Sequence, residues 1–398
     1  MPDQEIITEK SHRERLLWLI WPMIVILFVL LVWSTDFVFR DPDSKLYSNL
    51  AQELAARPVS EWVAPYWYGN WDRDELFREH PPGALYVSAL LIRIGAPPRQ
   101  ASGIANYIYY LIGFLCIYGI GKHARNRGVG WAMVWTAFLI PVTLQYIIRG
   151  NLEPPLTMAT LLGMFCILRA DRSWLARAGF AIGLILAVFF KGMQGTIVAI
   201  FAGIYWLIWA RDSARFFTIL GGTVAMLAVC ALFEWAYSTY TGGEEFWLRY
   251  MYIQSSIAVK SQSVLTKLYT LLWYVARILY FALPWTIFLI VARWRRPAAK
   301  PTYPADRIWR WLLVSAAVLM LIMAYFERKA DRYIFPSYTL IAMAGGWYLY
   351  DRFERVRRWL SASQVKLTLV FASAVLLAAI LKVLAATKFY NPIQFWRD

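Results

Sequence analysis

Cysteine is scarce in this sequence. The 398 residues include three cysteines, Cys116, Cys166 and Cys230, and no two of them form a C-x-x-C pair. Each lies within a long apolar run, where a thiol behaves as a small hydrophobic side chain. This pattern argues against a disulfide framework and against a cysteine-ligated metal site.

Acidic residues are also few. The chain has 25 Asp and Glu against 41 Lys and Arg, which gives a net charge of +16 and a pI of about 9.7. A basic balance of this size can indicate nucleic-acid binding. Much of the Lys and Arg, however, lies in short segments between apolar runs, as in cytoplasmic loops that follow the positive-inside rule. We therefore expect no nucleic-acid partner.

The sequence has no evident internal repeat, low-complexity stretch or sizeable soluble domain. Its first apolar run, Leu16 to Trp33, is long enough to span a bilayer, and no clear small-x-small cleavage site follows it. We interpret this run as a retained helix and not as a signal peptide. The chain ends at Asp398, just beyond the last apolar run, so no soluble C-terminal domain is expected.

Hydrophobic residues, in contrast, are abundant. They make up 60% of the chain, and the mean hydropathy is +0.45. A soluble domain is typically about 45–50% apolar, and apolar runs of about 18 residues or more indicate membrane-spanning helices. We therefore predict an all-α polytopic membrane protein. The eleven predicted spans are residues 16–34, 101–121, 129–148, 153–169, 174–190, 193–210, 216–236, 268–292, 308–326, 333–350 and 367–386.

The charge bias orients these spans. With residues 1–15 as a cytoplasmic N-terminus, every inner connection is basic. Residues 16–350 then form the main transmembrane module, which includes a long first outer loop at 35–100. Residues 351–398 hold the last transmembrane helix and a short outer C-terminus.

The first outer loop contains two predicted helices that do not span the bilayer. The apolar stretch 83–96 is only 14 residues long and contains Arg93, which suits a helix at the interface or one that re-enters the membrane. An amphipathic helix is predicted from Ser44 to Arg57, since its apolar positions recur at helical spacing. We expect both helices to lie along the membrane.

This topology places a group of ionisable residues on the outer side. Such groups are costly at membrane depth and usually face a polar cavity. Carboxylates can serve as a general base toward an acceptor hydroxyl, and Lys and Arg can bind a phosphate. The mixture suits a lipid-phosphate substrate. The group consists of Asp41, Asp43, His80, Arg149, Glu153, Lys191, Arg328, Lys329, Asp331 and Arg332.

Several segments resemble a known family. PDSKLYSNLAQEL (42–54) and EWVAPYW (61–67) resemble the first outer loop of the lipid A 4-amino-4-deoxy-L-arabinose transferases and, more loosely, that of the protein O-mannosyltransferases. Both are C-type (GT-C) glycosyltransferases. Further segments resemble the family's later motifs in the same order: EHPPGALY (79–86), NLEPPLT (151–157), FFKGMQG (189–195) and ERKADRYIFPSYTLIAMAGG (327–346).

The resemblance implies a GT-C-like bundle of about eleven transmembrane helices, with juxtamembrane helices in the first outer loop. It also implies an inverting glycosyltransferase that moves a sugar from a polyprenyl (undecaprenyl) phosphate carrier to an envelope acceptor such as lipid A or lipopolysaccharide. The active site would face the periplasm from a bacterial inner membrane. Two departures leave the sugar and the acceptor open: Ser44 replaces an acidic residue, and His80 replaces the arabinose transferases' first-loop Lys.

The resemblance also implies roles for individual residues. Asp43 takes the place of the catalytic base. Asp41, Glu153 and His80 are expected to orient the acceptor or Lys191. No cofactor is expected, although the carboxylates with His80 could hold a divalent ion. The residues expected to bind the donor phosphate are Lys191, Lys329, Arg332, Arg149 and Tyr333, with His80 as a further helper.

Other functions stay open at this point. One is a protein O-mannosyltransferase-like enzyme. From a different class, a lipid-linked sugar transporter or flippase would also have many spans and buried charges, although transporters tend to show internal repeats. A non-catalytic membrane scaffold is a further alternative.

Overall fold

A computed structural model of the chain describes residues 41–67, 76–147, 149–258, 263–294, 305–326 and 329–352. All of them belong to one compact unit that runs from Phe37 to Phe353. The helices predicted at 16–34 and 367–386 lie outside the described residues, as do the N-terminal segment 1–15 and most of 351–398.

The described residues are almost entirely helical, as predicted. One isolated antiparallel bridge joins Tyr66 to Leu76. The α-helices are α1 Pro42–Ala55, α2 Gly83–Arg93, α3 Pro98–Ala124, α4 Arg127–Phe138, α5 Pro141–Ile147, α6 Glu153–Leu168, α7 Trp174–Lys191, α8 Ile197–Tyr205, α9 Ser213–Thr241, α10 Phe246–Ala258, α11 Val264–Phe281, α12 Trp285–Trp294, α13 Ala305–Tyr325 and α14 Phe335–Arg352.

Shorter helical turns complete the described backbone. Two of them, the 3₁₀ turns Gly192–Thr196 and Asp331–Ile334, carry or adjoin residues of the candidate site. A helix satisfies its own backbone hydrogen bonds, which is the requirement that a lipid environment places on a spanning segment.

Five stretches among the described residues are long and apolar enough to cross a membrane. They are Ala101–Ala124, Trp174–Ala210, Ser213–Thr241, Val264–Phe281 and Arg307–Tyr325. The helices Gly83–Arg93 and Glu153–Leu168 are apolar but shorter. The count of eleven spans and the placement of α2 at the membrane interface stay predictions.

Two predicted spans are broken in the structure. The single helix predicted over 129–148 is divided, because α4 ends at Phe138 and α5 begins at Pro141. The helix predicted over 268–292 is likewise divided, between α11 and α12, next to Pro284. Proline lacks the N–H for a helix bond and clashes with the preceding turn, so an apolar run that continues through it need not be one helix.

The helices pack as a bundle in which α3 has a central position. It contacts both α4 and α6; α4 also packs on α14, and α6 on α7. Two indole N–H groups inside the bundle donate to carbonyl groups of neighbouring helices: Trp285 to Thr136 O at 2.9 Å and Trp311 to Phe201 O at 2.8 Å. Such bonds matter because an unpaired buried N–H is costly.

The chain reverses direction at the turn that follows α7. Gly195 lies so close to the backbone of Ala187 that a Cβ atom at position 195 would overlap it. The helix that begins at Trp174 is therefore interrupted at this turn, and the two separate spans at 174–190 and 193–210 stay a prediction. Lys191 occupies the last position of α7, at this reversal.

Candidate active site

The start of α1 presents two carboxylates in different roles. Asp41 is the N-cap, and its Oδ2 accepts a hydrogen bond from the backbone N–H of Ser44 at 3.2 Å. Pro42 then occupies the first turn, where a missing N–H costs nothing. Because Asp41 caps the helix, the carboxylate of Asp43 in the same turn is available for other partners.

Asp43 forms an ion pair with Arg332. Its Oδ2 contacts Nη1 of the arginine, and each side chain is 27% exposed. Arg332 lies in the 3₁₀ turn before α14, so this pair joins the first described helix to the last. The pair is accessible from solvent, as a site for a substrate must be.

Glu153 and Lys191 form a second ion pair. Lys191 Nζ donates to Glu153 Oε1 at 2.6 Å, and the side chains are only 5% and 3% exposed. Glu153 begins α6, where the helix N-terminus favours a negative charge. The buried lysine and glutamate compensate each other's charge, as buried charges must.

The backbone after Lys191 is held by an aromatic residue from α10. Gly192 has a φ of +60°, a conformation that glycine adopts readily. The Tyr250 hydroxyl accepts a hydrogen bond from Met193 N at 3.0 Å and lies where a Cβ of residue 192 would be. A glycine is therefore required at position 192, and Tyr250 fixes the end of the helix that carries Lys191.

Tyr333 is close to a cation of each ion pair. Lys191 Nζ is 5.8 Å from the centre of its ring, and the guanidinium carbon of Arg332 is 5.9 Å from it. Both distances are within the range of cation–π contacts. The backbone carbonyl of Tyr333 accepts a hydrogen bond from Gln194 Nε2 at 2.6 Å. The two cations therefore border one aromatic ring.

A third ion pair, which is buried, supports the turn Asp331–Ile334. The sequence interpretation missed one of its two residues. Arg277 Nε lies 3.1 Å from Asp331 Oδ1. Burial raises the pKa of the Asp331 carboxyl, and the adjacent Arg277 opposes that rise. Arg277 is the lone cation of the predicted apolar span 268–292, and an ionisable residue inside a spanning segment is itself a signal of function. Applied to α11, that criterion would have found it.

Polar side chains join α1 to the loop before α6. The Ser44 hydroxyl lies 2.6 Å from Asp41 Oδ2 and 2.7 Å from Asn151 Oδ1. The Asn106 side chain donates to the backbone carbonyls of Arg149 and, at 3.3 Å, of Asn151. These contacts position the residues just before Glu153. Asn106 could have been noticed as a lone amide within an apolar helix.

Tyr47 lies one turn after Asp43 and is buried in the same region. Burial raises the pKa of its phenol well above the ordinary value, and the negative charges of Glu153 and Glu79 raise it further. Its ring centre is 6.3 Å from that of His80. His80 therefore lies beside α1, next to Tyr47.

The remaining predicted residues have other contacts. The Lys329 ammonium lies 4.2 Å from the ring centre of Tyr269 in α11. The Arg149 guanidinium lies 5.3 Å from the ring centre of Tyr146. The contacts described above thus bring together Asp43, Arg332, Tyr333, Lys191 and Glu153, whereas Lys329 and Arg149 each contact another aromatic ring.

Among the described residues, no group of three or more His, Cys, Asp or Glu side chains could hold a metal ion. The expectation that the protein needs no cofactor stays a prediction. The cations Lys191 and Arg332 provide positive charge of the kind that binds phosphate.

Comparison with known sequences gives one family. Residues 79–235 match the model of the dolichyl-phosphate-mannose-protein mannosyltransferases. This stretch contains His80, Glu153 and Lys191, but not Asp43 or Arg332. A search of curated proteins found no match.

Comparison with solved structures gives the fold. The crystal structure of ArnT from Cupriavidus metallidurans bound to undecaprenyl phosphate superposes with a TM-score of 0.68 and 18% identity, over 94% of this chain and 65% of that chain. The apo structure of the same protein superposes with a TM-score of 0.66 and 18% identity, over 88% of this chain and 62% of that one. The chain thus spans just under two thirds of the length of ArnT, and it has the fold of ArnT.

Proposed function

We propose that the protein is an inverting glycosyltransferase that transfers a sugar from a polyprenyl phosphate carrier to an envelope acceptor. The observation that carries the proposal is the pairing of a part-exposed carboxylate, Asp43, with a part-exposed cation, Arg332. The ring of Tyr333 is in cation–π range of both Arg332 and the buried Lys191. A base and a phosphate-binding group are thus adjacent, as glycosyl transfer from a lipid phosphate requires.

The donor phosphate would be bound by Lys191, Arg332 and the Tyr333 hydroxyl. Charge-assisted hydrogen bonds from lysine and arginine to phosphate are roughly twice as strong as neutral ones. Lys329, Arg149 and His80 would add positive charge or donors around this centre. Glu153 holds Lys191 in place through the 2.6 Å contact between them.

In the transfer step, the acceptor hydroxyl attacks the anomeric carbon of the sugar while Asp43 takes its proton. A new carbon–oxygen bond forms on one face, and the bond from the anomeric carbon to the phosphate oxygen breaks on the other. Configuration therefore inverts. The leaving polyprenyl phosphate takes the bonding electrons, and Lys191 and Arg332 stabilise the charge that develops on it.

The donor class is supported by the fold, since the ArnT structure with undecaprenyl phosphate bound superposes on most of this chain. We propose undecaprenyl phosphate as the carrier and lipid A or another lipopolysaccharide sugar as the acceptor. The enzyme would act at the outer face of a bacterial inner membrane. Asp41, which caps α1 beside Asp43, and His80 would orient the acceptor.

A protein acceptor is the second candidate. It is favoured by the match of residues 79–235 to a family of protein mannosyltransferases. Both candidates use the same donor chemistry and the same base. They differ in the molecule that accepts the sugar, which an experiment has to identify.

Mass spectrometry of envelope glycolipids and glycoproteins, with and without the protein, tests the proposal. We expect a sugar-sized mass difference on a glycolipid; the same difference on a protein would select the second candidate. In proteoliposomes, we expect the purified protein to consume a polyprenyl-phosphate sugar and to release polyprenyl phosphate. Movement of the intact lipid-linked sugar across the bilayer without product would instead identify a flippase.

A further inference from the structure

We propose that Arg332 has two partners in turn, Asp43 when no donor is bound and the donor phosphate when one is. Donor binding would then release the base. This inference rests on the proposed function and adds an order to it: the site cannot activate an acceptor hydroxyl before the donor has arrived.

The exposure of the two ion pairs shows which one can exchange partners. Asp43 and Arg332 are each 27% exposed, so water can solvate both charges while they separate. Glu153 and Lys191 are 3% and 5% exposed, and separating them would leave an uncompensated buried charge. The pair with the low cost of separation is the one that contains the proposed base.

The backbone on both sides of Arg332 is anchored, so the exchange involves its side chain. The preceding residue, Asp331, is paired with Arg277 at 3.1 Å, and both are largely buried. The carbonyl of the following residue, Tyr333, accepts a bond of 2.6 Å from Gln194. The long, flexible arginine side chain can therefore turn from Asp43 to a nearby ligand while its Cα atom stays in place.

The partner change alters the chemistry of Asp43. A carboxylate that is paired with a guanidinium holds a proton less readily and is a weaker base. When a phosphate takes over the guanidinium, Asp43 loses that opposing charge and becomes a better proton acceptor. It stays within the first turn of α1, where the partial positive charge of the helix N-terminus still favours the ionised form.

The exchange also conserves charge around Arg332. A polyprenyl-phosphate sugar is a phosphodiester with one negative charge. When it binds, one singly charged phosphate group replaces one carboxylate as the partner of Arg332. The arginine is compensated in both states. This explains why a cation that is proposed to bind the donor can be occupied by a carboxylate in the free protein.

A binding experiment separates exchange from simple repulsion. Undecaprenyl phosphate is titrated into the full chain in lipid nanodiscs, for wild type, Asp43→Asn, Arg332→Gln and the double variant. If Asp43 competes for Arg332, Asp43→Asn should bind the phosphate about two- to fivefold more tightly, the strength of a part-exposed ion pair. The gain should disappear in the Arg332→Gln background, because there is no guanidinium to compete for.

Each outcome decides the matter. An equal gain in affinity in both backgrounds would mean that Asp43 only repels the phosphate. No gain in either background would mean that Asp43 does not compete for Arg332. Both outcomes overturn the exchange and leave the proposed function standing. Failure of the wild type to bind undecaprenyl phosphate at all would overturn the proposed function and the exchange together. Asp351→Asn, which neutralises the partner of Arg125, is the matched control and should leave the affinity within about twofold of wild type.

Discussion

Two ion pairs each place a cation near the ring of Tyr333, and they differ in burial more than in chemistry. Each joins a carboxylate in the first turn of a helix to a cation from a distant part of the chain. The pair of Glu153 and Lys191 is almost completely buried, whereas Asp43 and Arg332 are each about a quarter exposed. We therefore expect the buried pair to keep its geometry and the part-exposed pair to be able to separate.

The difference has a physical basis in desolvation. Separating two buried charges exposes each to an apolar environment, while part-exposed charges regain water when they part. The proposed glycosyl transfer needs both kinds of site. It needs a cation that stays in place for the phosphate, and a base whose pairing can be broken by the substrate.

Breaking the buried pair should have the largest effect on stability. Lys191→Met leaves Glu153 buried without its partner, and we expect it to lower the free energy of unfolding by about 3–5 kcal/mol. Chemical denaturation of the purified protein in detergent measures this. Adding Glu153→Gln should recover much of the loss, since no unpaired charge then remains. A loss below about 1 kcal/mol for Lys191→Met would mean that the pair is not buried in solution.

Removing the amide that holds the loop before Glu153 should have a smaller effect. Asn106→Ala removes the donor to the Arg149 and Asn151 carbonyls and should cost about 1–3 kcal/mol of unfolding free energy. Thr239→Ala, which removes one exposed side-chain bond to Trp235 O, is the control and should cost less than about 0.5 kcal/mol. Equal losses for the two variants would contradict the supporting role of Asn106.

Breaking the exposed pair should affect stability least and donor use most. Arg332→Gln should change the unfolding free energy by less than about 1 kcal/mol. The same variant should raise KM for the donor about ten- to 100-fold, because a charged hydrogen bond to the phosphate is lost. Steady-state kinetics with a polyprenyl-phosphate sugar provides the test. A large loss of stability with unchanged KM for Arg332→Gln would contradict the expectation that the part-exposed pair serves donor binding and the buried pair serves stability.

Much of the fold could be predicted from the sequence, because apolar runs mark helices wherever they occur. The positions of α6, α7, α9 and α13 follow from such runs to within a few residues. The breaks before Pro141 and Pro284 were missed, because the apolar pattern continues through both prolines while the backbone geometry does not.

The composition of the site was predictable, but its pairing was not. Charge bias placed Asp43, Lys191 and Arg332 on one predicted side of the membrane, and the structure adds which partner each one has. Partner choice depends on where helix ends meet in space, and sequence spacing does not contain that information. Arg277 was missed for a simpler reason: it lies in the middle of an apolar run, whose hydropathy conceals a single charge.

Sugar transfer by the Asp43→Asn variant tests the account most directly. With purified protein in proteoliposomes and a polyprenyl-phosphate sugar as donor, we expect turnover to fall about 10²–10⁴-fold, the contribution of a general base, while Asp351→Asn transfers at the wild-type rate. Binding of undecaprenyl phosphate by Asp43→Asn should at the same time be at least as tight as in the wild type. Near-wild-type turnover by Asp43→Asn would contradict the assignment of Asp43 as the base.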